Sequence, residues 1–112
     1  MQSEDRVRLR HMLDAARQAQ SFAEGENRGS LENDRKLVFA LLKAVEVIGE
    51  AASQISKDTR KTLPLIPWAD VIGMRDRLIH AYFDINLDIL WNTIVKDLPP
   101  LIRILEEILA CQ

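Results

Sequence analysis

The chain has 112 residues, 47% of them hydrophobic and 29% charged, which suffices for one domain over residues 1–112 and is too short for two. That balance excludes a disordered or collagen-like chain, and no apolar run approaches the ~18 residues of a membrane span. Lys and Arg number 15 against 17 Asp and Glu, a net charge of −2, so a nucleic-acid partner would have to be met by a local basic patch.

Helical periodicity dominates from the start. Met1 to Asp5 is polar and acidic, which reads as no secretory signal and as a cytoplasmic protein. From Ser3 to Ala23, Leu9, Met12, Leu13, Ala16, Ala19 and Ala23 recur at three- and four-residue steps, with Ser3 as a cap and Glu4 and Asp5 in the first turn. The polar stretch Glu24 to Ser30, with two glycines, reads as a loop. A second helix is predicted from about Asn33 to Ser56, ~24 residues or ~36 Å long, on the stripe Val38, Leu41, Leu42, Val45, Ile48, Ala52 and Ile55. Gly49, Ala51 and Ala52 are small enough to let another helix approach. Lys57 to Pro67 reads as an extended connection because of Pro64 and Pro67.

A third helix is predicted from Trp68 to about Phe83, ended by the turn Asp84-Ile85-Asn86. Beyond it, Leu87, Trp91, Ile94, Leu98, Leu101, Leu105 and Ile108 form a heptad-like seam that keeps phase across Pro99-Pro100. The expectation is a helix to about Lys96, a cap or kink at Asp97 and a nearly collinear fifth helix. The architecture expected is an all-α, antiparallel four- to five-helix bundle.

The inventory for chemistry is short. The single cysteine, Cys111, excludes an internal disulfide, and two histidines exclude a histidine-rich metal site. No glycine-rich phosphate loop is present, which argues against ATP being bound here for catalysis, and neither cofactor nor metal is expected. Glu46 and Glu50 are a four-spaced acidic pair that could take part in a polar site near Gly49; lacking a third ligand, they read as solvent-facing. Within the third helix Arg75 falls in the middle of the stripe Trp68, Val71, Ile72, Leu78, Ile79 and Tyr82. Such an arginine either snorkels or pairs with a buried acid. His80 lies four residues after Asp76, and a surface Asp–His pair would explain it; Tyr82 could be a core residue.

Taken together, Arg75, Asp76, His80 and Tyr82 form R-x-x-x-x-H-x-Y with a polar residue after the arginine. This resembles the active-site motif of HEPN-domain ribonucleases, specifically the HepT toxins of HepT/MNT toxin–antitoxin systems. Ile66-Pro67-Trp68, Ile72-Gly73-Met74, Trp91 and Asp97-Leu98-Pro99 also look like this family. The resemblance implies a metal-independent endoribonuclease acting on tRNA or messenger RNA. In it Arg75 would hold the scissile phosphate, His80 would act as general base or general acid, and Asp76 would orient that pair. It further implies silencing by a nucleotidyltransferase antitoxin of the MNT type that attaches AMP to Tyr82.

Arg75 and His80 lie five residues apart, so on an ideal helix they diverge by ~140°. Two copies packed symmetrically would bring both motifs to one cleft, and a homodimer with a composite site is expected. Arg77 beside the motif and Arg6, Arg10 and Arg17 along one face of the first helix are candidate contacts for the RNA backbone, as are Lys57, Arg60 and Lys61. A solvated charged face explains the first-helix arginines equally. The rival reading is a non-catalytic helical module that docks a nucleotidyltransferase or binds a nucleotide.

Overall fold

α1 (Ser3–Ala23) forms where its periodicity predicts, and buries Leu9, Met12, Leu13, Ala16 and Ala19. The computed structural model describes residues 1–79 and 84–111. Gln2, not Ser3, precedes the helix, and it makes no side-chain cap; Ser3 is the first helical residue. Gly25 then turns the chain with a φ of 76°, a left-handed value that suits glycine. After the single turn α2 (Ser30–Asn33), α3 (Arg35–Ser53) is capped by Asp34, whose carboxylate accepts from the Leu37 N–H. Every residue of its predicted stripe is buried, Ile55 just beyond its end included.

α1 and α3 are antiparallel, since Asp5 at the start of α1 meets Ser56 just past the end of α3. The expected extended connection is instead partly helical. Ser56 caps α4 (Lys57–Thr62) by accepting from the Thr59 N–H, with Asp58 in the first turn. Arg60 turns back to donate to the carbonyls of Ser53 and Ile55, closing off α3. The Trp68 indole donates to the Arg60 and Leu63 carbonyls, so the prolines act only after α4.

α5 (Trp68–Ile72) is the main departure from the sequence reading, which extended it to Phe83. Gly73 ends it, and the backbone continues in tight turns, with Met74 donating to the Val71 carbonyl and Leu78 to that of Arg75. Ile79 pairs antiparallel with Ile85, and Asn86 N–H donates to the Leu78 carbonyl at 2.7 Å. Buried Val71, Met74 and Leu78 recur at helical spacing, but a chain of turns meets that spacing too. α5 lies against α3 at Gly49, where a Cβ would stand 3.3 Å from the Ile72 carbonyl oxygen.

Asn86 caps α6 (Leu87–Asn92), which runs without a break through a π turn (Thr93–Asp97) into α7 (Leu98–Ala110). The π turn is how the chain accommodates its two prolines. Leu98 donates five residues back to Thr93, and Pro99 and Pro100 fall in the first turn of α7, where a missing N–H costs least. Asp97, the last residue of the π turn, precedes α7 and makes no side-chain cap bond. This rod packs along α1 through its π turn and α7 and touches α3 through α6, completing an all-α bundle. Among the described residues no helix is long and apolar enough to cross a membrane.

Candidate functional site

Because α5 stops at Ile72, Arg75 leaves the apolar stripe and reaches the surface, its side chain 48% exposed. Its Nε donates to Glu46 Oε1 on α3 at 2.9 Å, and Asp76 Oδ1 lies 3.7 Å from Nη1. The hydrogen bond to Glu46, and then the charges of Glu46 and Asp76, outweigh partial desolvation and hold the guanidinium protonated more firmly than usual. Nη2 has no protein partner among the described residues.

This pair stands in a cleft of about 740 Å³ between α1, α3 and the turns after α5. Arg8 and His11 line it from α1, Lys43 and Glu46 from α3, and Arg75 and Asp76 from the motif. Glu50 lines it too, so the partly exposed Arg8 and the exposed Lys43 share the cleft with acids; a carboxylate-held arginine beside such cations can receive an oxyanion such as a phosphodiester. Among the described residues no three His, Cys, Asp or Glu side chains gather as metal ligands.

His80 and Tyr82 lie outside the described residues, so the structure speaks only to the chain on either side of them. The ~140° divergence expected between Arg75 and His80 presupposed one ideal helix; α5 ends three residues before Arg75, and that premise does not hold.

The other basic residues scatter. Arg77 turns away from Arg75 to a second cleft, donating to the Asp70 carbonyl, with its Nη1 3.8 Å from the Asp70 carboxylate. Arg6 donates to the Leu109 carbonyl at the end of α7, and Arg17 pairs with Glu106 at 2.7 Å, so both tie α1 to α7. Arg10 is exposed, and Arg60 is spent on the end of α3. The α1 residues that share the cleft with Arg75 are Arg8 and His11, which sequence reasoning passed over. Glu46 was weighed as part of a polar site near Gly49 and discounted as solvent-facing. Gly49, one turn further along α3, marks the close approach of α5 and so places Glu46 near the motif.

A family model described as Ribonuclease HepT-like matches residues 12–108. A "Probable ribonuclease HepT" of Thermococcus cleftensis is 46% identical over 68 residues, 61% of this chain and 62% of that protein, less than two thirds of its length. Two proteins provisionally named as RNases are also similar. That of Caldanaerobacter subterraneus is 42% identical over 76 residues, 68% of each chain; that of Methanocaldococcus jannaschii is 33% identical over 91 residues, 81% of this chain and 84% of its own. No solved structure matches.

Proposed function

The chain belongs to the HepT-like ribonuclease family, and on that premise we propose that it is an endoribonuclease working through Arg75, His80 and Asp76. RNA carries its own nucleophile. The 2′-oxygen attacks the adjacent phosphorus, the bond to the 5′-oxygen breaks, and a proton must leave the first oxygen and reach the second. That chemistry proceeds without a metal. An unperturbed imidazole, with a pKa of ~6.5, is found in both protonation states near neutrality, and His80 serves as the base or the acid. Arg75 binds the phosphate and stabilises the charge growing on it, and Asp76 orients the pair.

The observation that carries this reading is the Glu46–Arg75 pair at 2.9 Å on the wall of an open cleft. A purely structural role explains it poorly, since an exposed ion pair contributes ~0–1 kcal/mol. The family's further features follow the motif. The chain acts as the toxin of a toxin–antitoxin pair, as a homodimer, and a nucleotidyltransferase antitoxin silences it by placing AMP on Tyr82. A phosphate so placed near Arg75 would compete for the substrate's position.

The test is cleavage of defined tRNA and messenger RNA by purified protein in excess chelator, beside His80→Ala, after mass spectrometry has shown Tyr82 unmodified. Cutting by the wild type alone is expected. Failure to cut any substrate would return the chain to the non-catalytic reading. Sedimentation gives the oligomeric state, and Tyr82→Phe should leave the antitoxin unable to silence the toxin.

A further inference from the structure

The exposed edge of α3 carries more than Glu46. Phe39 is 43% exposed, and the Arg35 guanidinium sits over its ring, 5.1 Å from the centroid. Arg35, Lys36, Phe39, Lys43 and Glu46 run down one side of the helix at three-, four- and seven-residue steps. The three cations are exposed. The neighbouring acids are already engaged, Glu32 with Arg28 at 3.0 Å and Asp34 with the Leu37 N–H. Arg35 and Lys36 thus place two exposed cations beside Phe39, while Lys43 stands 3.9 Å from the Glu46 carboxylate.

Phe39 also lines a depression of about 250 Å³ with Leu31, Arg35, Val38, Ile85 and Leu87, at whose edge stands Glu32, paired with Arg28. That is smaller than the ~300–1,000 Å³ of a pocket for a whole small ligand. Ile85 is the residue that pairs with Ile79 across the segment holding His80 and Tyr82. The α3 edge therefore joins two points on either side of the motif: Arg75 at Glu46, and Ile85 at Phe39. Seven helical residues separate those points by ~10 Å. A stacked strand advancing ~3.4 Å per nucleotide covers that in roughly three steps, and an extended one in fewer.

Resting on the ribonuclease reading, we infer that Phe39 and Arg35 form a stacking platform for one unpaired base of the RNA substrate, a few nucleotides from the phosphate at Arg75. Lys43, one turn beyond Phe39, neutralises the connecting backbone. An aromatic face accepts any base, so the platform favours single-stranded over paired RNA without reading sequence. Arg35 occupies one face of the ring and leaves the exposed remainder to the base, with its own charge beside the flanking phosphate.

The experiment measures affinity for a short mixed-sequence single-stranded RNA, fully 2′-O-methylated so that it cannot be cut, by fluorescence anisotropy in chelator. Phe39→Ala should weaken binding roughly 5- to 100-fold, Phe39→Trp should match or exceed the wild type, and Phe39→Leu should bind as poorly as Phe39→Ala. Leucine keeps the apolar bulk and removes only the π face, so full binding by Phe39→Leu overturns the stacking platform. Unchanged affinity in Phe39→Ala overturns it too; a change in sedimentation alone would assign this face to contact between copies, with cleavage by the wild type still standing. A wild-type chain that neither binds nor cuts RNA overturns the ribonuclease reading and this inference together.

Discussion

Glu46 and Arg75 stand 29 residues apart in sequence and 2.9 Å apart in the fold. Both are partly open to solvent, so the contact adds little to stability and much to direction. Glu46 accepts from Nε, and on the proposed reading this would orient the terminal nitrogens toward a phosphate. Glu46→Ala should lower kcat about 10- to 100-fold while stability moves by less than ~1 kcal/mol. Glu46→Gln, which keeps the acceptor oxygen, should recover part of the loss. In an Arg75→Ala background, Glu46→Ala should cost nothing further, because there is no guanidinium left to orient. An equal, additive loss in both backgrounds would show that Glu46 acts elsewhere in the cleft.

Arg75→Lys makes the complementary case. Lysine retains the charge and can still pair with Glu46, but it lacks the planar fork that grips two phosphate oxygens. Cleavage should fall by about 100-fold or more, close to the loss in Arg75→Ala, with thermal unfolding unchanged. Activity in Arg75→Lys near the wild-type level would mean that charge alone suffices at this position.

The long elements were legible because amphipathic periodicity over many turns has one economical solution, and α1 and α3 follow it. The seam from Leu87 to Ile108 was legible for the same reason, but the π turn was not. Two prolines state that something must give in the helix, without stating that the bond pattern widens at Thr93. The end of α5 was hidden because Val71, Met74 and Leu78 keep helical spacing through a run of turns. That error also centred Arg75 on an apolar stripe and lent the dimer argument its geometry. Asp5 was read as one more acid in a first turn, and its burial depends on Ser56 and Thr59, more than 50 residues away. The motif itself was visible as residue types at fixed spacing; Glu46 was visible as an acid near Gly49, and its pairing with Arg75 came only from the fold.

The approach of α5 to α3 should tolerate no bulk at Gly49. A Cβ there meets the Ile72 and Val71 carbonyl oxygens at 3.3 and 3.4 Å, and these belong to backbone that cannot swing aside. Gly49→Val should destabilise by about 1–3 kcal/mol in urea unfolding through overpacking. Because α5 leads straight into Arg75, the same variant should lose cleavage even at temperatures where it remains folded. A variant as stable as the wild type would show that α5 can shift outward freely, and the cleft with it.

Asp5 predicts how stability depends on pH. It is 1% exposed, and its carboxylate accepts from the Ser56 N–H at 3.0 Å, the Ser56 hydroxyl at 2.7 Å and the Thr59 hydroxyl at 2.6 Å. Burial pushes this carboxyl up, but the hydrogen bonds from Thr59 and Ser56, with the charge of Arg8, outweigh it and leave it below the usual aspartate value. The unfolded chain therefore takes up the proton more readily than the folded one as pH falls. The stabilisation is complete above the unfolded value of about 3.9 and is lost as pH drops through the folded one. Urea unfolding should be insensitive to Asp5 titration between pH 7 and pH 5 and should show the loss on the acid side of about pH 4. Asp5→Asn, which faces an amide nitrogen toward hydroxyls already committed as donors, should cost about 1–3 kcal/mol at pH 7. It should also remove its share of the acid slope, so that the two proteins converge as pH falls. Parallel curves down to pH 3 would place the acid sensitivity in other carboxylates and reduce Asp5 to an ordinary buried acceptor.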